Sequence, residues 1–124
     1  MRADDINREH KRQALNEIRE WAKAGYELFY DYQQATKGKI SHSPDFEKIL
    51  TNLAAEMKAM TIAAEQFDDE FKGTIELAIE SLEDYWHNND KWDGIKRKEF
   101  QNRLEVCFAA VINRVATKRA ELKI

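Results

Sequence analysis

The residues in this chain whose types and spacing could do chemistry are mostly carboxylates. Glu17 and Glu20 stand three positions apart, and so do Glu65 and Asp68. Three-residue spacing puts both members of a pair on one helical face, so each pair presents oxygens that suit a hard divalent cation. His87 follows Glu83 by four residues and Asp84 by three, which sets one ring nitrogen beside two carboxylates. Bundle di-metal sites use Glu-x-x-His on paired helices, and no second copy of the arrangement occurs here. His87 is therefore expected to be a solvated residue near a helix end. The stretch NNDKWDG at 88–94 offers several oxygen side chains, but a calcium loop built on Gly94 would put Lys91 and Phe100 at ligand positions. There is no glycine-rich phosphate loop, no Gly-x-Ser-x-Gly and no zinc-ligand spacing. No metal site and no cofactor is expected.

The carboxylate pairs do resemble, in spacing, the Glu-x-x-Glu and Glu-x-x-Asp with which some all-helical nucleotide pyrophosphohydrolases hold magnesium. The gap between the two pairs is longer than that family's usual arrangement, and acidic residues are abundant throughout. A magnesium-dependent pyrophosphohydrolase is thus an alternative to the main reading, which is non-catalytic.

The elements that must position these groups are helical. Ala14, Ile18, Trp21, Gly25, Leu28 and Tyr32 recur at alternating spacings of four and three, flanked by Leu15, Ala22 and Phe29. That stripe predicts a core-facing helix starting near Asp4 or Asp5 and stopping at Lys37-Gly38. Gly25 lies on its buried side, where it admits a close neighbour. KGKISHSP at 37–44 reads as a loop, with Ser43 as cap and Pro44 at the first position of the next helix. A second stripe runs Phe46, Ile49, Leu53, Met57, Met60, Ala64, Phe67 and continues in register through Phe71, Ile75, Ala78, Leu82 and Tyr85 or Trp86. A break near Gln66–Asp69 is expected, because Phe67-Asp68-Asp69-Glu70 looks like a fresh helix start. A kinked continuous helix is the alternative. After the 88–94 loop, with Asp93 as cap, the last helix carries Phe100, Leu104, Cys107 or Phe108, Val111, Val115 and Leu122 on one face. Cys107 sits within LEVCFAAVI and reads as a small core residue. The fold class expected is all-α, an antiparallel four-helix bundle forming a single domain over residues 1–124, the alternative being three long helices with a kinked middle one.

Several large apolar residues do not fit those stripes. Ile62, Leu77 and Val106 with Ala110 fall away from the core faces, and Tyr26 and Tyr30 stand one turn apart at the edge of the first stripe. Together they predict a contact surface, for which a twofold homodimer is the simplest use. No run approaches the ~18 apolar residues of a membrane span, and the N-terminal MRADDINREHKRQ lacks the apolar core of a signal peptide. A cytoplasmic protein without membrane attachment is expected.

Net charge is −3, but it is unevenly spread. Residues 65–90 hold nine acidic side chains against Lys72 alone, and residues 91–124 hold nine basic against four acidic. Opposite charges on sequential antiparallel helices assist docking, which is the structural use of such a pattern. The functional use is an acidic face, Glu76, Glu80, Glu83 and Asp84 with the nearby aromatic Trp92, that recruits a basic protein such as a nucleic-acid-binding one. Direct nucleic-acid binding by Lys96, Arg97, Lys98, Arg103, Arg114, Lys118 and Arg119 is disfavoured, since the acidic neighbour repels phosphates and no reader motif is present. The expected function is that of a small helical interaction protein of inhibitor, immunity or adaptor type.

Overall fold

Two aspartates set the helix boundaries that periodicity alone leaves open. The Asp68 side chain accepts from Phe71 N–H at 2.9 Å, and the Asp93 side chain accepts from Lys96 N–H at 2.8 Å. Each sits in extended backbone immediately before a helix, where a short oxygen side chain satisfies an N–H that the first turn cannot. The computed structural model describes residues 3–36 and 44–124, with side chains described over 5–31 and 45–124. It contains α1 (Ala3–Thr36), α2 (Pro44–Ala55), α3 (Met57–Ala64), α4 (Asp69–Asn88), a single 3-10 turn (Asn89–Lys91) and α5 (Gly94–Leu122). The expected cap Ser43, the rest of the 37–43 loop and the side chain of Tyr32 lie outside the described residues.

The break between the second and third arms falls where expected, over residues 65–68. A further join at Glu56 was not expected, since neither glycine nor proline marks it. Glu56 has φ −88° and ψ −7°, the bridge region of backbone space. The cause is a side chain from elsewhere: the buried indole N–H of Trp21 donates to Leu53 O at 3.1 Å. A donor entering the carbonyl ladder from outside is one of the established causes of a helix kink.

The helices form an antiparallel four-helix bundle whose second arm is the kinked α2–α3 pair. α1 lies between α5 and the α2–α3 arm, and α4 lies between α5 and α3. The start of α1 meets the end of α5, where Arg8 donates to Lys123 O at 2.6 Å and Arg119 to Asn16 at 3.1 Å. The core is aromatic: Trp21 packs edge-on against Phe108 at 5.1 Å, and Phe29 meets Tyr85 at 5.3 Å and Phe46 at 5.9 Å. Gly25 makes this possible. A Cβ there would stand 2.5 Å from Phe108 Cζ, so the ring lies directly on the glycine. In α2 the buried residue is Leu50 and not Ile49, which is 38% exposed. Both choices satisfy a four-three stripe; α2 is rotated toward the Leu50 side where it packs on α1 and α4. Among the described residues, no helix is long and apolar enough to cross a membrane.

Candidate functional site

Among the described residues, the ion pairs between α4 and α5 lie at the start of α4. Arg114 pairs with Glu70 at 2.8 Å, and Lys118 bridges Asp68 and Glu121. Hydrogen bonding from Lys118 and from Phe71 N–H holds the Asp68 carboxyl below its usual range, and the same contact with Asp68 holds the Lys118 ammonium above its own. These pairs are the docking contacts that the charge pattern offers, and being solvent-exposed on the acidic side they contribute little energy individually.

Further along α4 the carboxylates are left over. Glu76, Glu80, Glu83 and Asp84 are all exposed. Among the described residues no ion pair reaches Glu76, Glu80 or Asp84, and Glu83 has only His87, at 3.9 Å. Glu76, Glu80 and Glu83 follow one another at steps of four and three, so they share a stripe. The four acids span about 12 Å of helix, comparable to the ~8–10 Å screening length at physiological salt, so they act on an approaching ion as one field. Trp92 follows the 3-10 turn in extended backbone. Its ring is half-buried, 4.2 Å from Phe100 and 6.2 Å from Tyr85, and it closes the end of the core.

The basic side chains of α5 are largely engaged inside the molecule. Lys96 lies over the Trp92 ring at 5.2 Å and Arg103 over Phe100 at 4.6 Å. Arg97 donates to Trp92 O at 2.8 Å while its Nε is buried without a partner. Arg119 donates to Asn16 and, at 3.1 Å, to Ile124 O. With Arg114 and Lys118 paired as above, Lys98 is the residue of the basic set that makes no such contact among the described residues.

The remaining candidates separate as follows. Glu17, Glu20, Glu65 and Asp68 are exposed, Asp68 is already engaged, and no group of three His, Cys, Asp or Glu that could hold a metal occurs among the described residues. Leu77 is 56% exposed and Val106 68%, with Ala110 also exposed; all three belong to the α4 and α5 arms. Ile62, 57% exposed, belongs to α3, which packs on α1 and α4. Tyr26 and Tyr30 stack at 5.9 Å with Tyr30 outermost, and Tyr26 packs partly on the core. Ile95, in the first turn of α5, is the most exposed large apolar residue among those described, at 75%. Sequence reading missed it, and the signal available was an isoleucine directly after a capped Asp-Gly. Comparison with protein-family models, with curated proteins and with solved structures finds no match to this chain.

Proposed function

We propose that this is a non-catalytic helical interaction protein that works by binding a basic surface of another protein through the outer face of α4. The observation behind this reading is the set of carboxylates Glu76, Glu80, Glu83 and Asp84, held close together on one helix and, among the described residues, left without a strong cation, while most of the cations of α5 have contacts within the molecule. Carboxylates presented this way imitate the phosphates that a nucleic-acid-binding protein contacts, so such a protein is the kind of partner that fits. Placing the acids on a helix keeps their spacing fixed before binding, which lowers the ordering cost of association. Electrostatic complementarity of this type steers encounter and sets specificity more than it adds raw affinity.

The test is capture from the native host with tagged protein, followed by mass spectrometry, in parallel with the triple variant Glu76→Lys, Glu80→Lys, Glu83→Lys. All three side chains are exposed, so the variant keeps the fold. The reading expects a basic protein retained by the wild type at low salt and lost from the variant. Equal retention by both proteins counts against the acidic face.

A further inference from the structure

Leu77 and Val106 project from neighbouring helices, and the contacts between those helices fix where they stand. Asp68 lies level with Lys118, Glu70 with Arg114, and Ser81 with Cys107 at 3.9 Å. Counting along the antiparallel pair from these contacts puts Leu77 level with Ala110, and Asp84 within one turn of Arg103. Glu70 and Ser81 both reach α5, and Leu77 and Asp84 fall on the stripe they define, at helical steps of seven and of three or four. On α5, Cys107 and Arg114 reach α4, and Arg103 and Ala110 share their stripe. Leu77, Asp84, Arg103 and Ala110 therefore flank the α4–α5 seam on one side of the bundle, with Val106 at its outer rim. All five are exposed.

We propose that a second copy of this chain covers this side, related by a twofold axis that runs parallel to the helices. That operation lays α4 of one protomer antiparallel to α5 of its partner. Leu77 then packs on Ala110 of the partner subunit and Val106 of the partner subunit, and Asp84 meets Arg103 of the partner subunit, each contact occurring twice. Charge selects this axis over the alternative. Asp84 has no ion pair among the described residues, and Arg103 lies over a phenyl ring without a carboxylate. A twofold axis perpendicular to the helices lays α4 on α4 and sets an acidic segment against itself, which like-charge juxtaposition penalises. The size also fits. A side about 30 Å long, the length of α4, and two helix diameters wide is ~600 Å² in projection, close to the ~800 Å² per partner of a standard interface. The inference rests on the chain being an interaction protein: it takes Asp84 out of the acidic set and into the dimer, while Glu76, Glu80 and Glu83, which share one stripe, stay open for the basic partner, and the dimer doubles them.

Sedimentation equilibrium on the full chain at micromolar concentration tests this. The wild type is expected at twice the 14.6 kDa monomer mass. Val106→Glu is expected at the monomer mass with an unchanged far-ultraviolet spectrum, since the side chain is already exposed. Asp84→Arg and Arg103→Asp are each expected to be monomeric alone, whereas their equimolar mixture regains the doubled mass, because every Asp84–Arg103 contact is then restored across the interface. A monomeric wild type, a dimer untouched by Val106→Glu, or a mixture that stays monomeric overturns the proposal. Partner capture by a monomeric protein would leave the acidic-face reading standing without the dimer.

Discussion

Gly25→Ala is the substitution for which the structure predicts the opposite of what helix propensity predicts. In an isolated helix the change from glycine to alanine is favourable by about 1 kcal/mol. Here the new methyl carbon would meet Phe108 Cζ at 2.5 Å, Cε2 at 2.6 Å and Cε1 at 2.7 Å, where carbon contacts settle at ~3.5–4.0 Å. The ring cannot swing aside: it is fully buried, edge-on to Trp21 and stacked on Phe29 at 6.3 Å. Overpacking of this kind costs about 1–3 kcal/mol, and a locked ring places this case at the upper end. The net is a destabilisation of about 2 kcal/mol, or a fall of ~8 °C in Tm for a chain of this length. Urea denaturation of wild type, Gly25→Ala, Phe108→Leu and the double variant gives the values, with an unchanged m confirming comparable unfolding. The smaller leucine relieves the clash, so the double variant should be more stable than additivity predicts by about 1 kcal/mol. If Gly25→Ala is as stable as the wild type, or the two changes simply add, α1 and α5 do not approach as described.

Gly73→Ala is the control, because a Cβ there meets nothing within 4 Å; it should stabilise by about 1 kcal/mol in the same denaturation assay. Trp21→Phe keeps an aromatic side chain but removes the donor to Leu53 O, and should cost about 1–3 kcal/mol for the unpaired buried carbonyl in addition to the packing lost with the smaller ring. Amide exchange should then show altered protection around residues 53–57, and unchanged protection there would refute the assigned cause of the kink. Asp68→Asn keeps a capping side chain but loses the charge that pairs with Lys118. The Asp68 carboxyl is held below its ordinary 3.8, so its contribution is present above that pH and disappears as pH falls through the lower folded value. Lys118 is held above 10.5, so its contribution is complete below that pH and is lost as pH rises through the higher folded value. Thermal melts should therefore separate wild type from Asp68→Asn at neutral pH and converge at the acid end; a constant difference down to the lowest pH would contradict the pairing.

Much of the architecture was legible because its signals are local. Asp68 and Asp93 cap the helices they precede, and a short acidic side chain before an apolar stripe states its role in four residues. Gly25 was readable as a close approach because a glycine on a buried stripe has few other uses. What was not legible depends on residues far apart in the chain. The kink at Glu56 is made by Trp21, and the choice of Leu50 over Ile49 by the rotation of α2 on its neighbours. The same holds for the surface. Charge counting located the acidic and basic segments, but only the bundle shows that Arg97, Arg103 and Arg119 turn to a carbonyl, a ring and an asparagine. Leu77, Val106 and Ala110 were each recognisable as off-stripe residues, yet their convergence needs the register set by Glu70–Arg114 and Ser81–Cys107. Trp92, an aromatic beside an acidic helix, has its half-buried ring packed on Phe100, a contact eight residues away that the two positions alone do not announce.

The central claim is that the acidic stripe of α4 binds a basic protein, and the most direct measurement is the affinity of the captured partner as a function of salt. Binding by Glu76, Glu80 and Glu83 should weaken by about tenfold or more between low and high ionic strength and be abolished by reversing the three charges. Affinity that is indifferent to salt, or unchanged in the charge-reversed variant, would contradict the account.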